Sequence, residues 1–492
     1  MSTKLSTKNL GALPAEIARP KYDRSALKGG ILHFGVGNFH RAHQAVYLDD
    51  LFGRGRDHDW AIIGGGVRAA DVAVRDALAR QDWLTTVVEQ EAHGAKARII
   101  GPHIDFVPPG DAAAMLDMLA RPEIRIVSLT ITEGGYYISP ATQAFDFAHP
   151  DIAADARSIE MPKTVFGLIV AGLARRRAAG VTSFTVMSCD NIPGNGHVSE
   201  NAVAGLAELV DPELARWIRA NVAFPNAMVD RITPATTDRE RGFLLDKYGL
   251  EDNWPVFCEE FRQWVLEDKF PAGRPHLDEV GVTFVSEVAP YELMKIRILN
   301  GGHAAIAYPA ALLDIHFVHQ AMADPQVADF LEQLTLREII SVVPAPPGVD
   351  LQAYRSLIAR RFANPKIEDT IPRLCFDGSN RQPKFILPTV VDRLKAGADV
   401  KGLALVSALW CRYCHGETES GAAIAPNDPN WGRLQTAAKL ARHDPLAFLE
   451  MEDVFGQAAR SPAYIAAFSS ALSKLWAQGV RRTLADYLAG RP

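Results

Sequence analysis

Short apolar runs recur through the first part of the chain, at Gly30 to Phe34, Trp60 to Ile63, Thr85 to Glu89, Ile124 to Thr132 and Ser183 to Cys189. Each has the length and side-chain content of a strand. Between them lie stretches with helical spacing of apolar positions: Asn38 to Phe52, Ala112 to Ala120, and Lys163 to Ala179, the last amphipathic and closed by Gly180. The run Ile124 to Thr132 is rich in β-branched residues, as in a strand covered on both faces. Such alternation predicts a doubly wound parallel sheet flanked by helices. From Tyr291 the pattern changes. Helical stretches dominate, at Tyr291 to Leu313, Gln326 to Ile340, Leu351 to Phe362, Val400 to Cys414 and Pro462 to Tyr487, separated by segments rich in Pro, Asp and Asn. Residues 1–287 are therefore expected to form an α/β domain and residues 288–492 a mainly α-helical one.

Composition narrows the function rather than the fold. A formal net charge of −6 argues against a nucleic-acid partner, which calls for a basic face. No apolar run reaches the roughly 18 residues that cross a bilayer. The start, Met1-Ser2-Thr3-Lys4-Leu5-Ser6, lacks the apolar stretch of a secretory signal. Five cysteines in 492 residues do not make a disulfide framework. The expectation is a cytoplasmic enzyme acting on a small molecule, with neither a nucleic-acid nor a membrane partner.

The first strand runs into Gly35-Val36-Gly37-Asn38-Phe39-His40-Arg41. Glycines at the first and third positions of such a turn permit a tight bend and let a pyrophosphate approach the backbone, and the helix N-terminus that follows attracts its charge. This is the signature of a Rossmann-type dinucleotide site, with His40 where a third glycine is usual. Phe39 and Arg41 are candidate cofactor contacts, Arg41 as a pyrophosphate partner or else a solvated helix arginine. Asp71 is the candidate acid for the adenosine ribose, which would favour NAD over NADP, and its other reading is a helix cap. Arg68 beside it could instead tolerate a phosphate.

Ligands of parallel sheets bind beyond the C-terminal strand ends. Thr132-Glu133-Gly134-Gly135-Tyr136 and Ser188-Cys189-Asp190-Asn191 sit at two such ends, and Phe224 to Arg231 places Asp230 after an apolar stretch. Glu133 is a candidate cofactor contact. Asn191 offers an amide donor for a carbonyl oxygen, and the competing reading is an Asn capping a loop or helix.

The segment Tyr291-Glu292-Leu293-Met294-Lys295-Ile296-Arg297-Ile298-Leu299-Asn300-Gly301-Gly302-His303 gathers the most chemistry. At about 100° per residue, with Lys295 at the origin, Glu292 falls near 60°, His303 near 80° and Asn300 near 140°, while Arg297 points away near 200°. Polar groups on one side of so apolar a helix need a cleft or partners. A surface helix with a polar stripe is the bland alternative.

Taken together these motifs resemble the polyol-specific long-chain dehydrogenases over essentially the whole chain. The resemblance rests on FGVGNFHRAHQA (34–45), LTITEGGYY (129–137), TVMSCDNIPGNGHV (185–198), FPNAMVDRITP (224–234), FRQWVLEDKF (261–270), KIRILNGGH (295–303) and FDGSNRQPKF (376–385). It implies NAD-dependent oxidation of a polyol to a ketose, D-mannitol to D-fructose foremost, without a metal. It further implies Lys295 as general base, Asn191 and Asn300 as carbonyl-polarising amides, His303 as substrate-orienting, and Glu292 as proton relay. Asp230, Arg373 and Arg381 are implied as contacts to sugar hydroxyls, with Arg381 standing where relatives carry lysine. A cleft between the two domains and a monomeric state are also implied. A lysine base must titrate near roughly pH 7–8 rather than about 10.4 to serve at neutral pH.

Three lookalikes carry less weight. Tyr291-x-x-x-Lys295 also spells the pair of short-chain dehydrogenases, but it opens the helical half. Cys411-Arg-Tyr-Cys414-His415 spells a haem attachment site, yet two small thiols on a buried helix explain it. The cysteines 189, 258 and 375 lack zinc-ligand spacing. The competing functions are an aldonate or uronate oxidoreductase, whose carboxylate would use Arg373, Arg381 and Lys384, and a non-catalytic NAD-binding sensor.

Overall fold

Period-two alternation in the buried strands sets the architecture of the first half. The computed structural model describes residues 2–92, 94–139 and 144–491, and the chain divides into two units, Met1–Ala289 and Pro290–Pro492. In the first unit, β1 (Gly29–Phe34), β2 (Ala61–Gly65), β3 (His103–Phe106), β4 (Ile126–Leu129) and β5 (Thr185–Ser188) form one sheet in the order β3-β2-β1-β4-β5. Every pairing is parallel. Leu32, Ile63, Val127 and Val186 point to one face, where they join residues of helices Ala112–Ala120, Val165–Ala179 and Asn195–Val210. Ile31, Ile62, Ile126 and Met187 point to the other, against helix Gln44–Gly53. The order reverses between β1 and β4, so the switch point of this Rossmann-type sheet lies beyond Phe34 and Leu129.

Several elements differ from expectation. Asn38 to Phe52 is two helices, Asn38–Ala42 and Gln44–Gly53, broken at His43 with φ −120° and ψ −90°. Helix Val165–Ala179 is buried on all sides from Val165 to Leu173 rather than amphipathic, because it packs on the sheet and on neighbouring helices together. Gly180 does close it, with φ +68°. The strand within Ile124 to Thr132 ends at Leu129, and Thr130 to Thr132 leave the sheet. Thr85–Glu91 pairs antiparallel with Gly94–Ile100 in a separate sheet, which Val256–Glu259 joins. A third sheet holds Ala227–Asp230, Gln263–Glu267 and Thr283–Val285.

The second unit is helical. Lys401–Cys414 packs along Pro462–Leu488, and the apolar helix Gly301–Leu312 lies in the same core. Cys411 and Cys414 are buried thiols there. The expected helix Tyr291 to Leu313 changes winding midway: Ala289–Met294 and Gly301–Leu312 are α-helical, whereas Lys295–Asn300 is π-helical. The same happens after Pro325–Leu334, where Thr335–Ile339 is π-helical. Wide turns of this kind are rare and concentrate at functional sites. One helix, Leu387–Lys395, braces both. Arg297 donates to Thr389 Oγ1 (2.6 Å) and Asp392 Oδ2 (2.8 Å), and Arg393 donates to the carbonyls of Arg337 (3.0 Å) and Glu338 (3.3 Å).

Candidate functional site

The turn after β1 is shaped by its glycines in two different ways. Gly35 has φ +91°, and a Cβ there would stand 2.1 Å from the Thr130 carbonyl oxygen. No other residue fits. Gly37 is exposed with an ordinary φ of −90°, and a Cβ would meet nothing nearer than the Gly35 oxygen at 3.7 Å. Among the described residues nothing demands glycine at that point. Phe39 is half-buried and stacks on His43 (4.8 Å between centroids). His40, in the place of a third glycine, is buried and stacks on His33 at 3.4 Å, with its Nε2 2.9 Å from Nε2 of His103.

Two expected cofactor contacts also have protein partners. Arg41 is wholly buried. Its guanidinium donates to the carbonyls of Gly37 and Trp254 and to Asn38 Oδ1, so it secures the turn from within the protein rather than standing as a solvated helix arginine. Asp71 accepts the backbone N–H groups of Val67 (3.0 Å) and Arg68 (2.9 Å) and lies 3.6 Å from the Arg68 guanidinium. It therefore caps helix Ala69–Ala79, with one carboxylate oxygen occupied.

The strand ends bring Glu133 and Asn191 to the edge where Gly35 and Gly37 lie; both are exposed, after β4 and β5 respectively. Asp230 is buried at the end of Ala227–Asp230, in register with Gln263. Two residues that sequence reasoning passed over hold these ends. Asn195 bonds the Asp190 carbonyl (2.9 Å) and exchanges two hydrogen bonds with Ala227 (2.8 and 2.9 Å). Asp190 accepts three donors from the β4 end. The signal for Asp190 was its place in a polar strand end, where a carboxylate must find partners.

In the second unit, Lys295 is 7% exposed and Glu292, Asn300 and His303 are half-buried along one run. The α-helical angles of the sequence reading do not hold across the π-helical stretch. The Gly301 N–H bonds back five residues to Ile296 O. With hydrogen bonds of that span, Lys295 and Asn300, also five apart, stand about one turn above one another rather than 140° apart. The His303 ring stacks on Phe362 (4.1 Å, 13°), and its Nε2 is buried with no hydrogen-bond partner among the described residues. Burial holds its pKa down to about 3, against the pull of Asp369 and with Arg373, Arg361 and Arg381 adding their charge. The ring is thus neutral at physiological pH. Arg373 is exposed and paired with Asp369, and Arg381 donates to the Leu374 carbonyl (2.8 Å).

The family profile for the mannitol dehydrogenase Rossmann domain matches residues 29–279, and that for the mannitol dehydrogenase C-terminal domain matches residues 287–476. A mannitol 2-dehydrogenase of Cereibacter sphaeroides is 57% identical over 96% of this chain and 99% of its own. One from Phaeosphaeria nodorum is 41% identical over 98% of this chain and 85% of its own. The solved Pseudomonas fluorescens mannitol 2-dehydrogenase, a ternary complex with NAD and D-mannitol, is 42% identical, covers both chains fully and has a TM-score of 0.86. A substrate-free D-sorbitol dehydrogenase is 36% identical over 98% of this chain and 100% of its own, with a TM-score of 0.92. This chain belongs to the mannitol dehydrogenase family along nearly its whole length.

Proposed function

We propose that this protein is an NAD-dependent polyol dehydrogenase that oxidises a secondary carbinol to a ketone and catalyses the reverse reduction, with D-mannitol and D-fructose as the favoured pair. The observation that carries this is the buried Lys295 in a π-helical turn, with Asn300 one turn on and His303 held by Phe362. Family membership supports it, as do the relatives named for mannitol and sorbitol. The Gly35–Gly37 turn fits a dinucleotide, since a Cβ at Gly37 would meet no described atom nearer than 3.7 Å and the position is exposed.

When bound, NAD supplies the hydride acceptor. Lys295 takes the carbinol proton, which must leave as the hydride does or an alkoxide is stranded. Asn191 and Asn300 donate to the oxygen as negative charge develops, each contributing about 2.7–4 kcal/mol to the transition state if it acts as a typical oxyanion donor. The neutral His303 holds a substrate hydroxyl through Nε2. Glu292 passes the lysine proton towards water, and Asp230, Arg373 and Arg381 contact the remaining hydroxyls. No step calls for a metal, so dialysis against a chelator is expected to leave turnover intact; loss restored by a divalent ion would refute that part.

Two glycine variants separate fold from cofactor. Gly37→Ala is expected to keep the wild-type melting temperature and to weaken NADH binding by about tenfold or more, the scale of about 1.4 kcal/mol or greater. Gly35→Ala is expected to melt earlier, because its Cβ meets backbone at 2.1 Å. Unaltered NADH affinity in Gly37→Ala would remove the turn from the cofactor site.

An assay with NAD and mannitol, sorbitol, arabinitol or mannonate decides the substrate. Highest kcat/KM on mannitol is expected. The Arg373 guanidinium already faces Asp369, which disfavours an added carboxylate. Activity on mannonate alone would replace the polyol reading with the aldonate one.

A further inference from the structure

Thr132 stands just beyond β4, exposed, with φ +67° and ψ 163°. A β-branched side chain seldom adopts this strained backbone conformation. Such strain persists only where surrounding contacts enforce it. Here a single carboxylate does so. Asp190 Oδ1 accepts the Thr132 N–H (2.9 Å), and Oδ2 accepts the Ile131 N–H (2.9 Å) and the Tyr136 hydroxyl (2.7 Å). These donors flank both ends of the short turn Glu133–Tyr136. Ser188 Oγ lies 2.6 Å from the Tyr136 hydroxyl and accepts the Asp190 N–H (3.3 Å), which closes the network. Asp190, Tyr136 and Ser188 are all buried. Burial also keeps the Tyr136 phenol protonated and therefore a donor.

We propose that Asp190 is a positioning residue: its carboxylate clamps the loop 131–136 in a strained form that presents the Thr132 backbone and the Glu133 side chain to the bound dinucleotide. Asn191 follows directly in the chain, so the same clamp sets where that amide donor leaves β5. A well-packed core would have no use for a strained, exposed threonine; a loop shaped for a ligand does. The inference rests on the cofactor reading given above.

The test is NADH affinity by fluorescence titration, with kcat alongside. In Asp190→Asn, the amide cannot accept from all three donors, and losing one charge-assisted hydrogen bond raises the NADH Kd by about tenfold or more. Glycine takes the Thr132 conformation freely. Asp190→Asn combined with Thr132→Gly therefore recovers most of the lost affinity, and melting temperatures of both variants separate this from a general gain in stability. Should Asp190→Asn fail to fold, Tyr136→Phe removes one donor and gives a smaller loss, rescued in the same way. Wild-type affinity in the folded Asp190→Asn protein, or no recovery in the double variant, overturns the proposal while the cofactor reading stands. Failure of the wild-type protein to bind NADH overturns both.

Discussion

Lys295→Ala is expected to lower turnover at neutral pH by about 10²–10⁴-fold, the range for loss of a positioned general base, while NADH affinity stays that of the wild type. Lys295 lies in the second unit and the glycine turn in the first, so cofactor binding reports on the first unit, and the melting temperature checks the fold of the second. The pH profile is the sharper readout. In the wild-type protein, polyol oxidation rises with pH as the base becomes neutral, and the variant loses that limb. Small primary amines added to the alanine variant are expected to restore part of the rate by occupying the vacated volume. Arg297→Met supplies the contrast. Arg297 is a second buried basic residue on the same turn, held by Thr389 and Asp392. Removing it costs stability and leaves the pH limb in place. Wild-type turnover in Lys295→Ala would end the lysine-base assignment.

The lysine segment also shows what a sequence can and cannot reveal. Its residue types marked it as a site, because Lys, Glu, Asn and His among apolar neighbours cannot all be satisfied by packing. Its winding was not legible, since nothing in KIRILN distinguishes π from α turns; bracing by Arg297 to a helix some ninety residues away accompanies it. The parallel sheet was legible because buried strands such as Ile126–Leu129 are apolar on both faces. The end of that strand was not. Thr130 to Thr132 have full β propensity, and tertiary bonds to Asp190 and Gly35 pull them out of the ladder. The hydrogen bonds of Arg41 and Asp71 were not legible for a related reason. Local motif spacing locates a residue on an element, but the hydrogen bonds to Trp254 and to the Val67 and Arg68 amides determine where the charge points.

Acid is expected to unfold the first unit before the carboxylates are titrated. His33, His40, His43 and His103 are at most 2% exposed. Burial holds His33 and His43 at about 3, and His40 and His103 well below their ordinary value. The charges facing them do not offset this. Arg41 faces His40 and His103, Arg24 also faces His103, and Arg231 and Arg262 face His43, where the Gln263 carbonyl and Asp230 pull the other way without offsetting burial. The folded state therefore binds fewer protons than the unfolded chain between the unfolded value of about 6.5 and the depressed folded values. Stability is complete above that unfolded value and falls as pH drops through it, by about 1.4 kcal/mol per pH unit for each histidine. Four of them amount to about 6 kcal/mol at pH 5.5, against a total stability of about 5–15 kcal/mol for a domain. Thermal midpoints at pH 7.5 and 5.5 measure the effect, and equal midpoints would refute it. His103→Gln, which keeps a neutral partner for His40 Nε2, is expected to reduce the slope by about a quarter if the four contribute equally. The stacked His33 and His40 flank the Gly35–Gly37 turn, so excess NADH is expected to shift the acid transition to lower pH by binding the folded form alone.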